Sequence, residues 1–341
     1  MSIIEIKDLN KTYHVHQKKE GLWGSLTGLF RREYKEVCAV KDLNLQVEQG
    51  EFVAFLGPNG AGKTTTLKLL SGVINPTSGS VNVMGYVPWE RKNEYRRRFA
   101  LVMGQKNQLW WDLPARESFR LHQQIYQIDN KEFNYTLTEL SDLLQIGKLL
   151  DQPVRELSLG ERMKMELTAA LLHSPEILFL DEPTIGLDVI AQHNIQNFLK
   201  YYQKERKITI LLTSHYMKDI AALCQRVVVI AQGQLKYDGS LGEIIDQFSS
   251  TKEITLSLDT NDQPTGLEDL GEVLEVNLPR VKLRVQRNKV AACISRIMDL
   301  YTVEDITVEE LPLEEVIANV FAHMSQPSDT DKPNEEIVSS R

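Results

Sequence analysis

The sequence predicts an α/β domain with a largely parallel sheet, followed by a smaller α+β domain. Up to about residue 250, continuous apolar stretches alternate with stretches of helical periodicity, as in parallel strands that are buried on both faces. Beyond that point, apolar and polar residues alternate along the predicted strands. The chain has 341 residues, about twice the size of a typical domain, which agrees with two domains.

Each strand of the first domain is predicted from a run of β-branched and apolar residues, and each helix from apolar residues at helical spacing. In order, the elements are strands 3–7, 37–47 and 52–56, helix 64–71, strand 99–103, helices 131–146 and 159–172, strand 177–180, helix 190–204, strand 208–212, helix 216–224 and strand 226–230. The second domain is predicted to contain strands 253–258, 272–277 and 281–286, helix 289–300, strand 303–308 and a helical face of Leu313, Val316, Ile317, Val320 and Phe321. We expect domains at 1–248 and 249–324, and a disordered tail at 325–341 because that stretch is polar.

Composition excludes several classes of protein. Apolar residues make up 42% and charged residues 25%, which is ordinary for a globular protein with a sizeable core. A net charge of −8 disfavours broad nucleic-acid binding. No apolar run approaches the ~18 residues of a membrane span, and no secretory signal is visible. The three cysteines are far apart and fit no disulfide or zinc pattern. We therefore expect a soluble protein of the cytosol.

The strongest motif is a glycine-rich loop between strand 52–56 and helix 64–71. It reads Gly57-Pro58-Asn59-Gly60-Ala61-Gly62-Lys63-Thr64 and matches the pattern GxxxxGK[ST]. Glycines let the backbone turn several N–H groups towards phosphate oxygens, and the helix start adds its positive dipole end. Lys63 can reach the terminal phosphates, and the Thr64 hydroxyl can bind Mg²⁺.

Two further motifs fit a nucleotide site. Strand 177–180 leads into Asp181 and Glu182; Asp181 is predicted to hold Mg²⁺ and Glu182 to polarise an attacking water. Ser158 with Glu161 three residues later is a capping-box pattern at a helix start. Ser158 is then either a simple helix cap or, with the Gly160 N–H, a second phosphate-binding helix start.

In combination these motifs resemble the ATP-binding subunit of an ABC transporter over about residues 3–245. The resemblance rests on the loop at 57–64, Gln105 after a strand, LSLGE at 157–161, ILFLDEP at 177–183, GLD at 186–188 and TSH at 213–215, with Tyr13 at the place of an adenine-stacking aromatic. It implies a P-loop ABC ATPase domain with a mixed sheet core and a helical subdomain, and the small α+β domain follows it.

The resemblance also implies a role for each motif residue. Glu182 would be the general base, His215 would steady the γ-phosphate and the water, and Gln105 would sense Mg²⁺ and water. Thr64, Gln105 and Asp181 would surround Mg²⁺. The implied ATP-binding residues are Tyr13, Gly57, Pro58, Asn59, Gly60, Ala61, Gly62, Lys63, Thr64, Thr65, Ser158, Gly160, Glu161 and Asp188.

The implied partners are a second copy of the chain and a separate transmembrane permease. Two copies would form a head-to-tail dimer closed on two ATP molecules, and the permease would dock near 105–114. The chain would then lie on the cytoplasmic face of the inner membrane. Segment 105–114 and the signature look most like exporters of drugs, lipids or polysaccharides. The alternatives are an importer ATPase with a regulatory C-terminal domain and a non-transport ABC ATPase; no nucleic-acid partner is expected.

Two features depart from the family pattern. The usual signature LSGGQ is LSLGE here, which places a carboxylate near the predicted site. Residues 17–36 form an insertion after Tyr13, in which an apolar stripe is flanked by basic residues, so it suits a membrane surface or a permease groove. The alternative is that this stripe packs on the domain itself. In segment 105–114, adjacent Trp110 and Trp111 point to different sides in any regular element. Both the core and an interface contact are open to them, and the interface is favoured because large aromatic residues are common interface anchors.

Overall fold

The computed structural model describes residues 2–16, 34–104, 106–214, 217–259, 264, 266–312, 315–318 and 320. It divides into two compact units, Met1–Gly239 and Ser240–Arg341. The predicted border between the two domains, after residue 248, lies nine residues beyond the division after Gly239, and it stays a prediction. Within the described ranges, no helix has the length and apolar character needed to cross a membrane.

The first unit contains nine described strands and seven described helices. The strands are β1 Ser2–His16, β2 Tyr34–Glu48, β3 Phe52–Leu56, β4 Ser78–Val83, β5 Phe99–Met103, β6 Ile177–Asp181, β7 Thr209–Thr213, β8 Arg226–Ala231 and β9 Gln234–Ser240. The helices are α1 Lys63–Leu70, α2 Asn93–Arg96, α3 Ala115–Tyr126, α4 Asn130–Leu144, α5 Leu159–Leu171, α6 Val189–Arg206 and α7 Met217–Leu223.

Two sheets form the β structure of this unit. One has the order β5-β6-β7-β3-β8-β9, and its first five strands pair in parallel. Strands β3, β6 and β7 are buried along their whole length, which explains their unbroken apolar sequences. The other sheet is antiparallel, with the order β2-β1-β4. Side chains from both sheets and from α1 share one core cluster, so the α/β class predicted for this domain is confirmed.

The prediction from sequence periodicity missed several elements and made others too short. Strand β1 reaches His16 rather than residue 7, because register shifts along β1 interrupt the alternation that the prediction relied on. Strand β4 was missed since only two of its six residues are buried. Helix α3 and strand β9 were missed as well. Residues 34–36, assigned to the insertion, belong to β2, and residues 17–33 lie outside the described residues.

The second unit begins with helix α8 Leu241–Phe248, followed by strands β10 Thr251–Leu258, β11 Glu272–Asn277 and β12 Arg280–Gln286, helix α9 Val290–Leu300 and strand β13 Val303–Glu310. The strands form an antiparallel sheet in the order β11-β12-β10-β13, and Cys293 and Ile297 of α9 pack against its apolar face. Val316, Ile317 and Val320 are buried in helical backbone, as predicted. Leu313, Phe321 and the tail at 325–341 lie outside the described residues.

Candidate functional site

The glycine-rich loop at 57–64 joins β3 to α1, and two of its glycines are sterically required. Gly62 has φ 110, and a Cβ there would lie 2.4 Å from the carbonyl oxygen of Ala39. A Cβ on Gly57 would lie 2.2 Å from the carbonyl oxygen of Ile230. Helix α1 starts at Lys63 with no side-chain cap, so no capping side chain occupies its first N–H groups. The backbone is therefore arranged to receive an anion.

Lys63 is buried within this loop. Its side chain is 6% exposed, and its Nζ donates hydrogen bonds to the carbonyl oxygens of Gly57 at 2.6 Å and Pro58 at 3.0 Å. Burial lowers the pKa of Lys63, while the nearby carboxylates of Glu182 and Asp181 oppose that shift. The ammonium group is thus held over the loop and faces the two acidic residues that the sequence singled out.

Asp181 ends β6 and connects that strand to the loop. Its Oδ1 accepts hydrogen bonds from Thr64 Oγ1 at 2.8 Å and from Thr213 Oγ1 at 2.7 Å. A hydroxyl and a carboxylate are the oxygen ligands that Mg²⁺ prefers, and in nucleotide sites phosphate oxygens supply most of the rest. Thr64 and Asp181 therefore fit a magnesium site. Thr213 was not predicted as a site residue, although it is the first residue of the TSH motif at 213–215 in the sequence.

Glu182 follows Asp181 in an unusual backbone conformation. Its φ is 53, a left-handed value that is uncommon for residues other than glycine. Its N–H donates to the carbonyl oxygen and to Oγ1 of Thr213, at 3.0 and 3.1 Å. Gly104 approaches so closely that a Cβ there would lie 2.1 Å from the Glu182 carbonyl oxygen. Glu182 is thereby fixed at the end of β6, beside the residue that precedes Gln105.

The signature segment forms the start of α5. Ser158 Oγ accepts a hydrogen bond from the Glu161 N–H at 3.3 Å, and Glu161 Oε2 accepts one from the Ser158 N–H at 2.8 Å. The capping box predicted from spacing is confirmed. The Glu161 carboxylate is occupied by its own helix start. Among the described residues the Ser158 hydroxyl donates to no acceptor, so its proton can serve a ligand.

Close packing joins the starts of α5 and α6. A Cβ on Gly160 would lie 2.7 Å from the Ala191 Cβ, so the two helix starts touch at a position where only glycine fits. Asp188 caps α6 by accepting a hydrogen bond from the Ala191 N–H at 2.8 Å. The GLD segment and the signature therefore form one surface.

Three of the predicted site residues are not placed with this cluster. Gln105 and His215 lie outside the described residues. Tyr13 lies in β1, where it pairs with Val37, and the Lys11 Nζ is 5.1 Å from the centre of its ring. Its predicted contact with adenine stays a prediction.

Asp219 is a buried carboxylate that sequence reasoning missed. It is 1% exposed and accepts hydrogen bonds from Thr184 Oγ1, from Ser214 Oγ at 3.1 Å and from Gln196 Nε2 at 2.6 Å. It thus joins the segment after Glu182 to the end of β7, next to residue 215. These donors lie far apart in the sequence, so no local pattern signals the cluster.

Comparisons with known proteins agree with this geometry. Residues 40–185 match the family model for "ABC transporter", and residues 250–309 match "EvrA-like ABC transporter, C-terminal domain". The chain is 32% identical over 217 residues to the ABC transporter ATP-binding protein NatA of Bacillus subtilis, covering 64% of this chain and 88% of that protein. It is 36% identical over 202 residues to the bacitracin transport ATP-binding protein BcrA of Bacillus licheniformis, covering 59% of this chain and 65% of that protein.

A solved structure described as the ATP-binding subunit of an ABC transporter is also similar. It aligns with a TM-score of 0.60 and 28% identity, covering 72% of this chain and 93% of that one. The NatA match spans 88% of that relative, and the matched family segment 40–185 includes the loop at 57–64, Ser158 and Asp181. The chain therefore belongs to the family of ATP-hydrolysing, ATP-binding subunits of ABC transporters.

Proposed function

We propose that this chain binds ATP between two of its own copies and uses hydrolysis to drive export through a separate permease. One observation carries the proposal: Lys63, Thr64 and Asp181 converge on one loop in which neither Gly57 nor Gly62 leaves room for a side chain. In phosphoryl transfer the protein mainly positions groups and stabilises charge, and this loop suits both tasks.

Each residue of the cluster has a distinct task in this proposal. The loop N–H groups and Lys63 bind the phosphates. Thr64 and Asp181 would hold Mg²⁺, which supplies positive charge to the phosphate oxygens when bound. Glu182 takes a proton from the attacking water, and its fixed backbone holds that carboxylate in place. Gln105 and His215 are assigned to the water and the γ-phosphate by family resemblance.

The second half of the site comes from the partner copy. Ser158 lies at the exposed start of α5 with its hydroxyl proton available. In a head-to-tail dimer it would donate that proton to the γ-phosphate bound by the other copy, next to the Gly160 N–H. Binding of ATP favours the closed pair over the open pair, which couples ATP to a conformational change.

The permease is proposed to dock at 105–114 and at the cavity beside it. Trp110, Trp111 and Leu113 are 47%, 43% and 42% exposed. The alternative that a tryptophan lies in the core is therefore wrong, since both tryptophans are exposed and their neighbour Leu109 is buried at 4%. Exposed aromatic side chains are favoured anchors for a protein partner.

The adjoining cavity measures about 680 Å³. Phe99, Leu101 and Tyr126 supply apolar lining, and Arg91, Arg96 and Lys106 supply positive charge. Among the described residues that line it, none is acidic. The cavity suits a short permease segment that carries both an apolar side chain and a carboxylate.

Contacts of α5 link this docking surface to the signature. Oε1 of buried Glu166 accepts hydrogen bonds from the N–H groups of Gln108 at 2.8 Å and Leu109 at 3.3 Å. The Arg162 guanidinium lies 4.9 Å from the Trp111 ring centre. A displacement of the docking segment therefore acts on the helix that begins at Ser158.

Export is favoured over import because two relatives from Cupriavidus, 36% and 35% identical to this chain over 216 residues each, are named Nod factor export ATP-binding protein I. We infer a peripheral position on the cytoplasmic face of the membrane, reached through the permease. Residues 17–36 are a second candidate contact with that layer, because their sequence combines an apolar stripe with flanking basic residues and connects β1 to β2 beyond the paired residues His16 and Tyr34. Deletion of residues 18–35 without effect on assembly would remove this contact from the proposal.

Co-purification tests the docking proposal. The permease is first identified by isolating the full chain from detergent-solubilised membranes with the membrane protein that co-purifies with it, and the two are then expressed together. Trp110→Ala with Trp111→Ala should reduce recovery of the chain with the permease at least about fivefold, since large aromatic anchors dominate interfaces. Tyr135→Ala removes an aromatic ring that is 68% exposed on α4 and is the matched control. Equal recovery of both variants would contradict docking at this loop.

A further inference from the structure

A buried carboxylate on helix α7 has no task in the ATP site as assigned above. Asp219 lies in the first turn of α7 and is 1% exposed. Its Oδ2 accepts hydrogen bonds from Thr184 Oγ1 and, at 3.1 Å, from Ser214 Oγ. Its Oδ1 accepts one from Gln196 Nε2 at 2.6 Å. Asp219 therefore joins α7 to α6, to the end of β7 and to the segment that follows β6.

Two of these hydrogen bonds close a ring of contacts around Glu182. On one side, Thr184 follows Glu182 by two residues and is 2% exposed. On the other side, the Glu182 N–H donates to the carbonyl oxygen and to Oγ1 of Thr213, at 3.0 and 3.1 Å, and Ser214 is the next residue. The Thr184 and Ser214 hydroxyls meet on one oxygen of Asp219, so the ring closes at that carboxylate.

The backbone of Glu182 requires such support. Its φ of 53 is a left-handed value, and such conformations persist in residues other than glycine where the surrounding structure fixes them. The backbone conformation in turn restricts the rotamers of the side chain. A ring that fixes this backbone therefore also determines where the Glu182 carboxylate can reach an attacking water.

A carboxylate suits this task better than an amide of the same shape. An ionised carboxylate accepts hydrogen bonds at both oxygens and donates none, so both hydroxyls direct their protons at Asp219. An asparagine would keep one acceptor oxygen and would place an NH₂ group against either Gln196 or the two hydroxyls. At least one of the three hydrogen bonds would then reorganise, and the others would lose the strength that the charge supplies.

We propose that Asp219 is a positioning residue for ATP hydrolysis, which holds Thr184 and Ser214 together and thereby fixes the Glu182 carboxylate. The inference rests on the proposed function, in which Glu182 takes a proton from water. A base must lie within hydrogen-bond reach of that water, and small displacements of a reacting group cost large factors in rate. None of the three donors to Asp219 belongs to the loop at 57–64, so Asp219 acts on kcat and not on ATP binding.

ATPase kinetics of the full chain test this role. Asp219→Asn should lower kcat at least about tenfold and leave KM for ATP within about twofold. Thr184→Val and Ser214→Ala each delete one hydroxyl of the ring and should lower kcat at least about threefold. Tyr95→Phe is the matched control, because Tyr95 is fully buried in the same unit and its hydroxyl donates to the carbonyl oxygen of Leu70. Its kcat should stay within about twofold of the native value.

Two further measurements separate positioning from a loss of folded chain. Binding of a fluorescent ATP analogue counts the sites, and each variant should bind one analogue per chain, whereas a merely structural defect would reduce that number. In the double variant of Thr184→Val with Asp219→Asn, kcat should be no more than about twofold lower than in Asp219→Asn alone. The reason is that the hydroxyl acts only through the carboxylate, so the two losses are not additive.

The outcomes distinguish this inference from the proposed function. A kcat of Asp219→Asn within twofold of the native value, a change in KM instead of kcat, or an equal loss in Tyr95→Phe overturns the inference alone. Full additivity in the double variant, or a fall in kcat matched by a fall in the number of sites, does the same. If Asp219→Asn does not fold, native rates in both Thr184→Val and Ser214→Ala overturn it. Near-normal turnover of Glu182→Gln overturns the proposed base, and the inference with it.

Discussion

Two helix starts in this molecule are assigned to phosphate, and they are built differently. Helix α1 begins after Gly62 with no side-chain cap, and its loop holds a buried lysine. Helix α5 begins at Ser158 with a complete capping box, so Glu161 already satisfies the Ser158 N–H. The first start leaves its backbone donors to a ligand, whereas the second uses a side chain of its own helix.

This difference separates two tasks. A start with free N–H groups and a buried cation can bind an anion without help from another chain. A helix start that is capped by its own side chains has fewer free N–H donors for the same anion. It contributes a hydroxyl proton and a surface for contact with the second copy. We infer that α1 determines whether ATP binds and that α5 determines whether two copies close on it.

The largest effect is expected from a group that neither helix start supplies. Glu182→Gln removes the proposed base and keeps nearly the same volume, so kcat for ATP should fall at least about 100-fold. ATP should still bind because the loop is unchanged. ATPase assays together with binding of a fluorescent ATP analogue measure both properties, and near-normal turnover would contradict the assignment of Glu182.

The two starts themselves are compared by Lys63→Ala and Ser158→Ala. In the monomer at low concentration, Lys63→Ala should weaken ATP binding at least about tenfold, since a charge-assisted contact with phosphate is lost. Ser158→Ala should leave monomer affinity within about twofold and lower turnover at concentrations where dimers form. Isothermal titration and ATPase assays provide the readouts. Equal losses of monomer affinity would show that the starts do not divide these tasks.

Gly160→Ala tests the packing that joins α5 to α6. The added Cβ would lie 2.7 Å from the Ala191 Cβ, so we expect a loss of about 1–3 kcal/mol in the free energy of unfolding. Adding Ala191→Gly removes the clash and should recover most of the loss, less the helix cost of glycine, about 1 kcal/mol. Urea denaturation of both variants measures this difference, and no rescue by the second substitution would mean that the contact is not the cause.

Glu166 gives a pH-dependent test of the hydrogen bonds between α5 and the docking segment at 105–114. Burial raises the pKa of Glu166 to about 6, against the opposing effects of the Gln108 and Leu109 N–H groups and of Arg162. The pKa of Glu166 is higher in the folded chain than in the unfolded chain. The protonated carboxyl group therefore contributes to stability at pH values below the unfolded pKa, and this contribution is lost as the pH rises through about 6. Glu166→Gln does not titrate, so its stability relative to the native chain should rise by roughly 2 kcal/mol between pH 4.5 and 7. Parallel pH profiles in urea denaturation would contradict the raised pKa.

The smallest effect is expected at Glu161. Gln can replace Glu in a capping box, so Glu161→Gln should change stability by less than about 0.5 kcal/mol. Glu161→Ala leaves the Ser158 N–H without its acceptor and should cost about 1 kcal/mol. Thermal unfolding distinguishes the two variants. A large gain in ATPase activity from Glu161→Gln would instead show that the carboxylate acts on the nucleotide.

The sequence predicted what depends on neighbours in the chain. The loop at 57–64, the capping box at Ser158 and the strand that ends at Asp181 are each written within a few residues, so motif spacing and apolar runs were sufficient. The core strands β3, β6 and β7 were also placed correctly, because full burial requires an unbroken apolar run.

Tertiary structure decided what depends on residues far apart in the chain. Strand β4 exists because it pairs with β1, since its own sequence buries only Val81 and Val83. The hydrogen bond of Thr213 to Asp181 and the hydrogen bonds of the three donors to Asp219 span between 5 and 35 residues, and none follows a local period. Local patterns carry backbone preference and burial, whereas these contacts depend on which strand ends meet at one edge of the sheet. The reactive side chains at that edge can therefore be recognised in single sequence motifs, whereas their geometry is fixed only when the strands pair.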